Sequence, residues 1–199
     1  MTTVIVAEMT TPLSAASMTR SRLVATNAAS QTFFDAECVR VARACQAMAG
    51  RFQAGGRLLV HGEAARRSDV SHVVVEFMHP VVVGKRALAA LALPFAPTAS
   101  IAVAAGPLDV MGRAGDILMI LADGALREPE ETLLACAEAM GMLTIALVGA
   151  EVPSGRVPSR FCFSVPSGDA CIVQETHEML YHVLWELVHV FLDHGAGRA

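Results

Sequence analysis

The 199-residue chain is 54% hydrophobic and only 17% charged, with a mean hydropathy of +0.49, a net charge of −4 and a pI near 5.9. This balance excludes disorder as the main state and indicates one compact domain with a large aliphatic core. With this charge and no Lys/Arg run nothing recommends nucleic acid as a direct ligand, and no apolar run reaches the roughly 18–20 residues of a bilayer-spanning helix.

The longest apolar candidates are broken by Pro94, Pro97 and Gly106. At the start, acidic Glu8 lies in a short apolar patch with no basic residue before it, so no secretory signal and a cytoplasmic location are expected. Residues 1–30 are Thr, Ser and Ala-rich and read as an arm or as part of an assembly helix; 31–199 read as a single domain. Five cysteines without a CxxC pair (Cys38, Cys45, Cys136, Cys162, Cys171) read as buried free thiols.

From Phe33 to Phe52 apolar residues recur every three or four positions, and Gly55-Gly56 stops this amphipathic helix. "RLLVHG" is then a strand, followed by a helix that Pro80 ends. The same grammar repeats in "ALAALAL", in "SIAVAA" with a short "PLDVMGRA" helix, and in "DILMILADG" with "EPEETLLACAEAMGM". "LTIALVGA", "RFCFSVPS" and a long helix from about Asp169 to His194 complete the chain. Nearly all-apolar strands alternating with helices predict an α/β, doubly wound parallel sheet covered on both faces. Its ligand site belongs beyond the carboxyl ends of the strands, at "VHGEAARRSD" and "LADGALREPEE".

The helix that begins there carries Asp69, His72, Glu76 and His79 at spacings of three, four and three, on one stripe. The final helix carries Gln174, Glu178, His182 and His189 at spacings of four, four and seven. Three readings compete. In the structural one, Asp69 caps its helix, His72 is a satisfied core histidine and Glu76 pairs with a cation, while His79 and His194 are surface residues. In the second, His72 and Glu76, with Gln174 and His182, bind a metal, since imidazole and carboxylate suit zinc. In the third, a carboxylate and an imidazole on opposite sides of a substrate move a proton between adjacent carbons.

The segment "GGRLLVHGEAARRSDVSHVVVEFMHP" resembles the part of bacterial phosphoheptose (sedoheptulose 7-phosphate) isomerases that reads strand, Gly-Asn-Gly-Gly-Ser, Asp, His, then Glu four residues on. The closing "QETHEMLYHVLWELV" resembles the same family's last helix, and the likeness covers about Phe33 to the end. The resemblance implies a sugar isomerase (SIS) domain, a flavodoxin-like three-layer sandwich with long N- and C-terminal helices. It also implies aldose–ketose exchange through an enediol, with Glu76 as general base and His182 opposite it. His72, Glu76, Gln174 and His182 match a metal-binding quartet found in some members, which implies one zinc ion per site and no nucleotide cofactor. The implied partners are a sugar or sugar phosphate and three further copies of the chain in a homotetramer, with no membrane.

The sequence departs from the family in its phosphate cradle. Gly62, Glu63, Ala64, Ala65 and Arg66 stand where Gly-Asn-Gly-Gly-Ser is expected, and Leu121, Ala122, Asp123, Gly124, Ala125 and Leu126 where Ser-Thr-Ser-Gly-Asn-Ser is expected. A phosphate dianion loses hydroxyl donors there and meets Glu63 and Asp123. Arg66 and Arg67, near a helix N-terminus, either hold an anion between them or are solvated surface residues. His61 at the strand end adds an ionisable group, and His61, Glu63, Asp69, His72, Glu76, Asp123 and His182 together make a charged pocket that favours cations over phosphates. Substrate-binding candidates are thus His61, Gly62, Glu63, Arg66, Arg67, Asp69, Asp123, Gly124 and Gln174. Two functions follow: an isomerase with an altered substrate, or a non-catalytic protein on the same fold that senses a ligand, holds a metal or binds a protein partner, as does the SIS-fold partner of the bacterial replication initiator.

Overall fold

The protein is described here from a computed structural model, which covers residues 12–80, 82–94, 101–149 and 157–195, with the backbone alone over 101–105. Helix α1 runs without a break from Pro12 to Gln53, about 60 Å. Its spacing of Phe33, Val41, Ala44, Cys45, Met48 and Phe52 buries one stripe, and Gly55 ends the helix region with φ +86°, a conformation that residues with a Cβ avoid. The stretch read as an arm or helix is therefore helical from Pro12 onward, and residues 1–11 lie outside the described part. This first half of α1 lies against the last helix through Ser30 to Thr176 (3.0 Å, buried), Thr26 to Glu175 (2.7 Å) and an Arg22–Asp169 ion pair.

After α1 come β1 (Leu58–Gly62), a 3-10 turn (Ala64–Arg66), α2 (Arg67–Met78), β2 (Ala90–Ala92), α3 (Ile101–Met111), β3 (Ile117–Leu121), α4 (Glu128–Ala139), β4 (Leu143–Val148), β5 (Phe161–Ser164) and α5 (Ala170–Gly195). The five strands are all parallel in the order β2-β1-β3-β4-β5. The chain goes one way from β1 to β2 and the other way from β1 to β3, which makes the β1/β3 boundary the switch point.

Strand alternation divides the core. Leu58, Val60, Ile117, Met119, Leu121, Ile145, Leu147 and Phe163 face α1, α2 and α5, while Leu59, Leu118, Ile120, Ala146 and Val148 face α3 and α4. The expected three-layer sandwich with long terminal helices is what the chain forms. One segment differs: "SIAVAA", read as a strand, is helical from Ile101 and forms the first turns of α3. A run of five apolar residues after Ser100 has no period that separates buried strand from buried helix, and three of the five are alanine, the strongest helix former.

The thiols also differ from the reading. All five are free, but Cys38 and Cys171 are exposed and only Cys45 is fully buried, which pushes its thiol up to about 12. Among the described residues, no helix is long and apolar enough to cross a membrane.

Candidate active site

Gly62 ends β1 where a side chain has no room: a Cβ there would lie 2.9 Å from Val70 Cγ2 and 3.0 Å from the Arg66 Cβ. The chain then turns through Ala64–Arg66 and delivers Arg66 into the interior, 2% exposed. Its Nη1 donates to Asp69 Oδ2 at 3.0 Å, and its Nη2 meets Asp123 Oδ1, brought in from the end of β3. Asp69 is buried as well and accepts from Gln174 Nε2 of α5 at 2.9 Å. Asp69 thus does not cap α2; its carboxylate is shared between Arg66 and Gln174. Arg66 is thus not a solvated residue: its guanidinium is ion-paired with Asp69 and Asp123, its Nε and Nη2 have no hydrogen-bond partner among the described residues, and Arg67 is exposed. Gly149 after β4 lets the loop close over this group: its nitrogen donates to Gly124 O at 3.2 Å, and a Cβ there would strike the Asp123 carbonyl.

His177 of α5, which the sequence reading passed over, packs beside this group. It is 1% exposed, and its Nε2–H donates to Val148 O at 3.2 Å. Burial first, and then the Arg66 guanidinium, push its imidazolium down to about 3. The unfolded chain takes up a proton near 6.5 and the folded one only near 3, so the neutral ring's contribution is fully present above pH 6.5 and is lost as pH falls. Stability should decline by about 3 kcal/mol between pH 7 and pH 4 from this residue. Urea midpoints measured across that range should show the decline, with a visibly shallower slope in His177→Gln.

His61 does not join the others. It shares a strand face with Leu59 and so lies on the α3/α4 side of the sheet, whereas α2 and α5 cover the opposite side. Burial lowers its pKa, with Glu130 and Arg127 as its charged neighbours. Glu63 likewise leans to that side, 3.3 Å from Arg127, which also pairs with Glu130 at 2.8 Å. The single charged pocket read from the sequence is therefore three groups: Glu63 with Arg127, Glu130 and His61; Arg66 with Asp69, Asp123 and Gln174; and the histidines of α2 and α5.

That third group is the candidate centre. His72 and Glu76, one turn apart on α2, meet His182 of α5 so that one ligand atom from each lies within 4.8 Å of the others. The two imidazoles approach edge to face with Nε2 to Nε2 at 3.3 Å, and on its far side His72 Nδ1 lies 3.0 Å from the Tyr181 hydroxyl and 3.6 Å from Glu178. Among the described residues Glu76 has no ion pair, so the cation partner of the structural reading is not there. Three of the expected quartet, His72, Glu76 and His182, converge, and the Nε2 of the fourth, Gln174, donates to Asp69. His189 stands apart, buried between the carbonyls of Trp185 (2.9 Å) and Arg86 (3.0 Å).

The donor set fits a metal ion. Two imidazoles on tetrahedral zinc at 2.0–2.1 Å place their nitrogens about 3.3–3.4 Å apart, which is the separation seen between His72 and His182.

Tyr181 was missed because it lies on the inward stripe of α5, with His177, beside the polar stripe that drew attention. It is 1% exposed, and burial raises its hydroxyl pKa, so it stays protonated. Its only hydrogen-bond partner among the described residues is His72 Nδ1, so O–H donates there and leaves the His72 proton on Nε2, facing His182. Tyr181→Phe is expected to move that proton to Nδ1, toward Glu178, a change read directly from long-range ¹H–¹⁵N spectra of the metal-free protein.

A parallel sheet of order 2-1-3-4-5, with ionisable groups of α2 and the closing helix meeting beside its switch point, defines a flavodoxin-like doubly wound α/β domain with a candidate ligand site. No family profile matches the chain. A curated phosphoheptose isomerase of Chlorobium phaeobacteroides is 32% identical over 163 residues, covering 74% of this chain and 71% of that enzyme. The chain belongs to the phosphoheptose isomerase family. A phosphoheptose isomerase structure from Francisella tularensis superposes with a TM-score of 0.70 at 22% identity, covering 89% of this chain and 98% of that one. The fold is also shared, with a TM-score of 0.62 at 12% identity, with a HobA–DnaA complex structure from Helicobacter pylori, matched over 96% of this chain and 100% of that one.

Proposed function

We propose that the protein is an aldose–ketose isomerase that works through an enediol. The observation that supports this most is the convergence of Glu76, His72 and His182 from two helices within 4.8 Å. Glu76, with no competing ion pair among the described residues, removes the proton beside the carbonyl and returns it to the neighbouring carbon. His182 exchanges a proton with the oxygen on the other side, and His72 holds His182 through the Nε2 contact. A groove of about 620 Å³ between α1 and α5, lined by Thr19, Leu23, Thr26, Glu178, Met179 and His182 among others, gives a sugar access to this group. As an alternative to those acid–base roles, His72, Glu76 and His182 would hold one zinc ion, which when bound would polarise a carbonyl in place of proton transfer by Glu76 and His182.

All three residues meet within one chain, so subunit assembly is not needed to build the centre. Exposed Leu13, Leu23, Val24 and Val39 along α1 support the homotetramer, which light scattering would show.

The relatives' name points to sedoheptulose 7-phosphate as the first substrate to assay, beside other ketose and aldose pairs. Turnover that is lost in His182→Ala supports the isomerase. Inactivity toward every pair, with intact folding, would leave the fold serving as a binding protein.

A further inference from the structure

We infer that Tyr181 is a positioning residue that holds the His72–Glu76–His182 centre in its proton-transferring form and opposes its loading with metal. The inference rests on the proposed reading of those three residues and names what chooses between its acid–base and zinc forms. The Tyr181 hydroxyl lies 3.0 Å from His72 Nδ1 and has no other hydrogen-bond partner among the described residues, and the side chain is too buried for bulk water to supply one. A phenol keeps its proton near neutral pH, so the hydroxyl donates and Nδ1 accepts. His72 then carries its proton on Nε2, which donates to His182 Nε2 at 3.3 Å, and His182 keeps its own proton on Nδ1. One tautomer of each ring satisfies all three groups, and it leaves His182 Nδ1–H free to exchange a proton with a substrate oxygen.

A metal held between the two Nε2 atoms needs a different tautomer of His72. Nε2 must lose its proton to offer a lone pair, and Nδ1 must gain one. The nearby Glu178 carboxylate, 3.6 Å from Nδ1, is the acceptor for that new N–H, as carboxylates commonly are for metal-bound histidines. The Tyr181 hydroxyl, however, loses its acceptor, and a buried donor without a partner is costly. Metal binding therefore strands Tyr181, and Tyr181→Phe removes that cost while leaving Glu178 in place.

Zinc(II) alone is titrated into the full chain, free of any histidine tag, in competition with a chromophoric chelator. Tyr181→Phe should bind zinc at least about fivefold tighter than wild type. Adding Glu178→Ala to that variant should weaken binding by roughly tenfold or more. Long-range ¹H–¹⁵N spectra should place the His72 proton on Nε2 in metal-free wild type and on Nδ1 in zinc-loaded Tyr181→Phe.

Equal or weaker zinc binding by folded Tyr181→Phe, or no binding by either protein, overturns the inference, because a Tyr181 that only packs the helix would change the thermal midpoint and not the affinity. A His72 proton on Nδ1 in metal-free wild type overturns it too, and that spectrum requires no variant to fold. If no sugar is turned over, the isomerase reading fails, and the zinc comparison still decides the role of Tyr181.

Discussion

Glu76→Gln is expected to lower turnover by roughly 10²–10⁴-fold while leaving the thermal midpoint unchanged. The amide keeps the shape of the carboxylate but cannot take a proton from carbon. Glu76 makes no ion pair among the described residues, and its neighbours in the cluster are two partly exposed imidazoles, so removing its charge breaks no stabilising contact. Kinetic and calorimetric measurements on the same preparation separate the two effects. A loss of both activity and stability would instead assign Glu76 a structural role, and unchanged kcat would remove it from the reaction.

Arg66→Met should cost about 3–5 kcal/mol of stability, because it leaves Asp69 buried and Asp123 half-buried without the cation between them. For a chain of this size that is a drop in Tm of roughly 6–20 °C. Combining it with Asp69→Asn and Asp123→Asn should restore a substantial part, since the charges left uncompensated are then gone. Urea unfolding of the single and triple variants tests this; a single variant within about 0.5 kcal/mol of wild type would mean that the guanidinium is solvated and the ion cluster contributes nothing.

The fold was legible in the sequence wherever apolar runs were bounded by clear stops, as at Gly55 after α1 and Pro80 after α2. It was not legible at "SIAVAA", whose uniform apolarity fits strand and helix alike. Helical spacing identified His72 and Glu76 on one helix and His182 on another, and the family likeness gave Glu76 and His182 their catalytic roles. The partition of the charged residues was hidden because spacing along the chain does not say which face of a sheet a loop serves. His61 is separated from His72 by the two-residue alternation of β1, a consequence that follows only once neighbouring helices are placed.

Arg66 was misplaced for a related reason. A charged residue in a turn is ordinarily solvated, and its burial depends on Asp69 one turn on and on Asp123 from another strand. Tyr181 and His177 were passed over as part of an apolar stripe, although "THEMLYH" holds both beside His182.

Proton transfer at carbon is tested most directly by incubating the protein with ketose and aldose pairs in D₂O and following the carbon-bound proton beside the carbonyl by ¹H NMR. Wild-type protein should replace that proton with deuterium as the sugar isomerises, and Glu76→Gln should not. Isomerisation without any solvent deuterium in product or recovered substrate, or equal exchange by both proteins, would contradict the enediol route through this carboxylate.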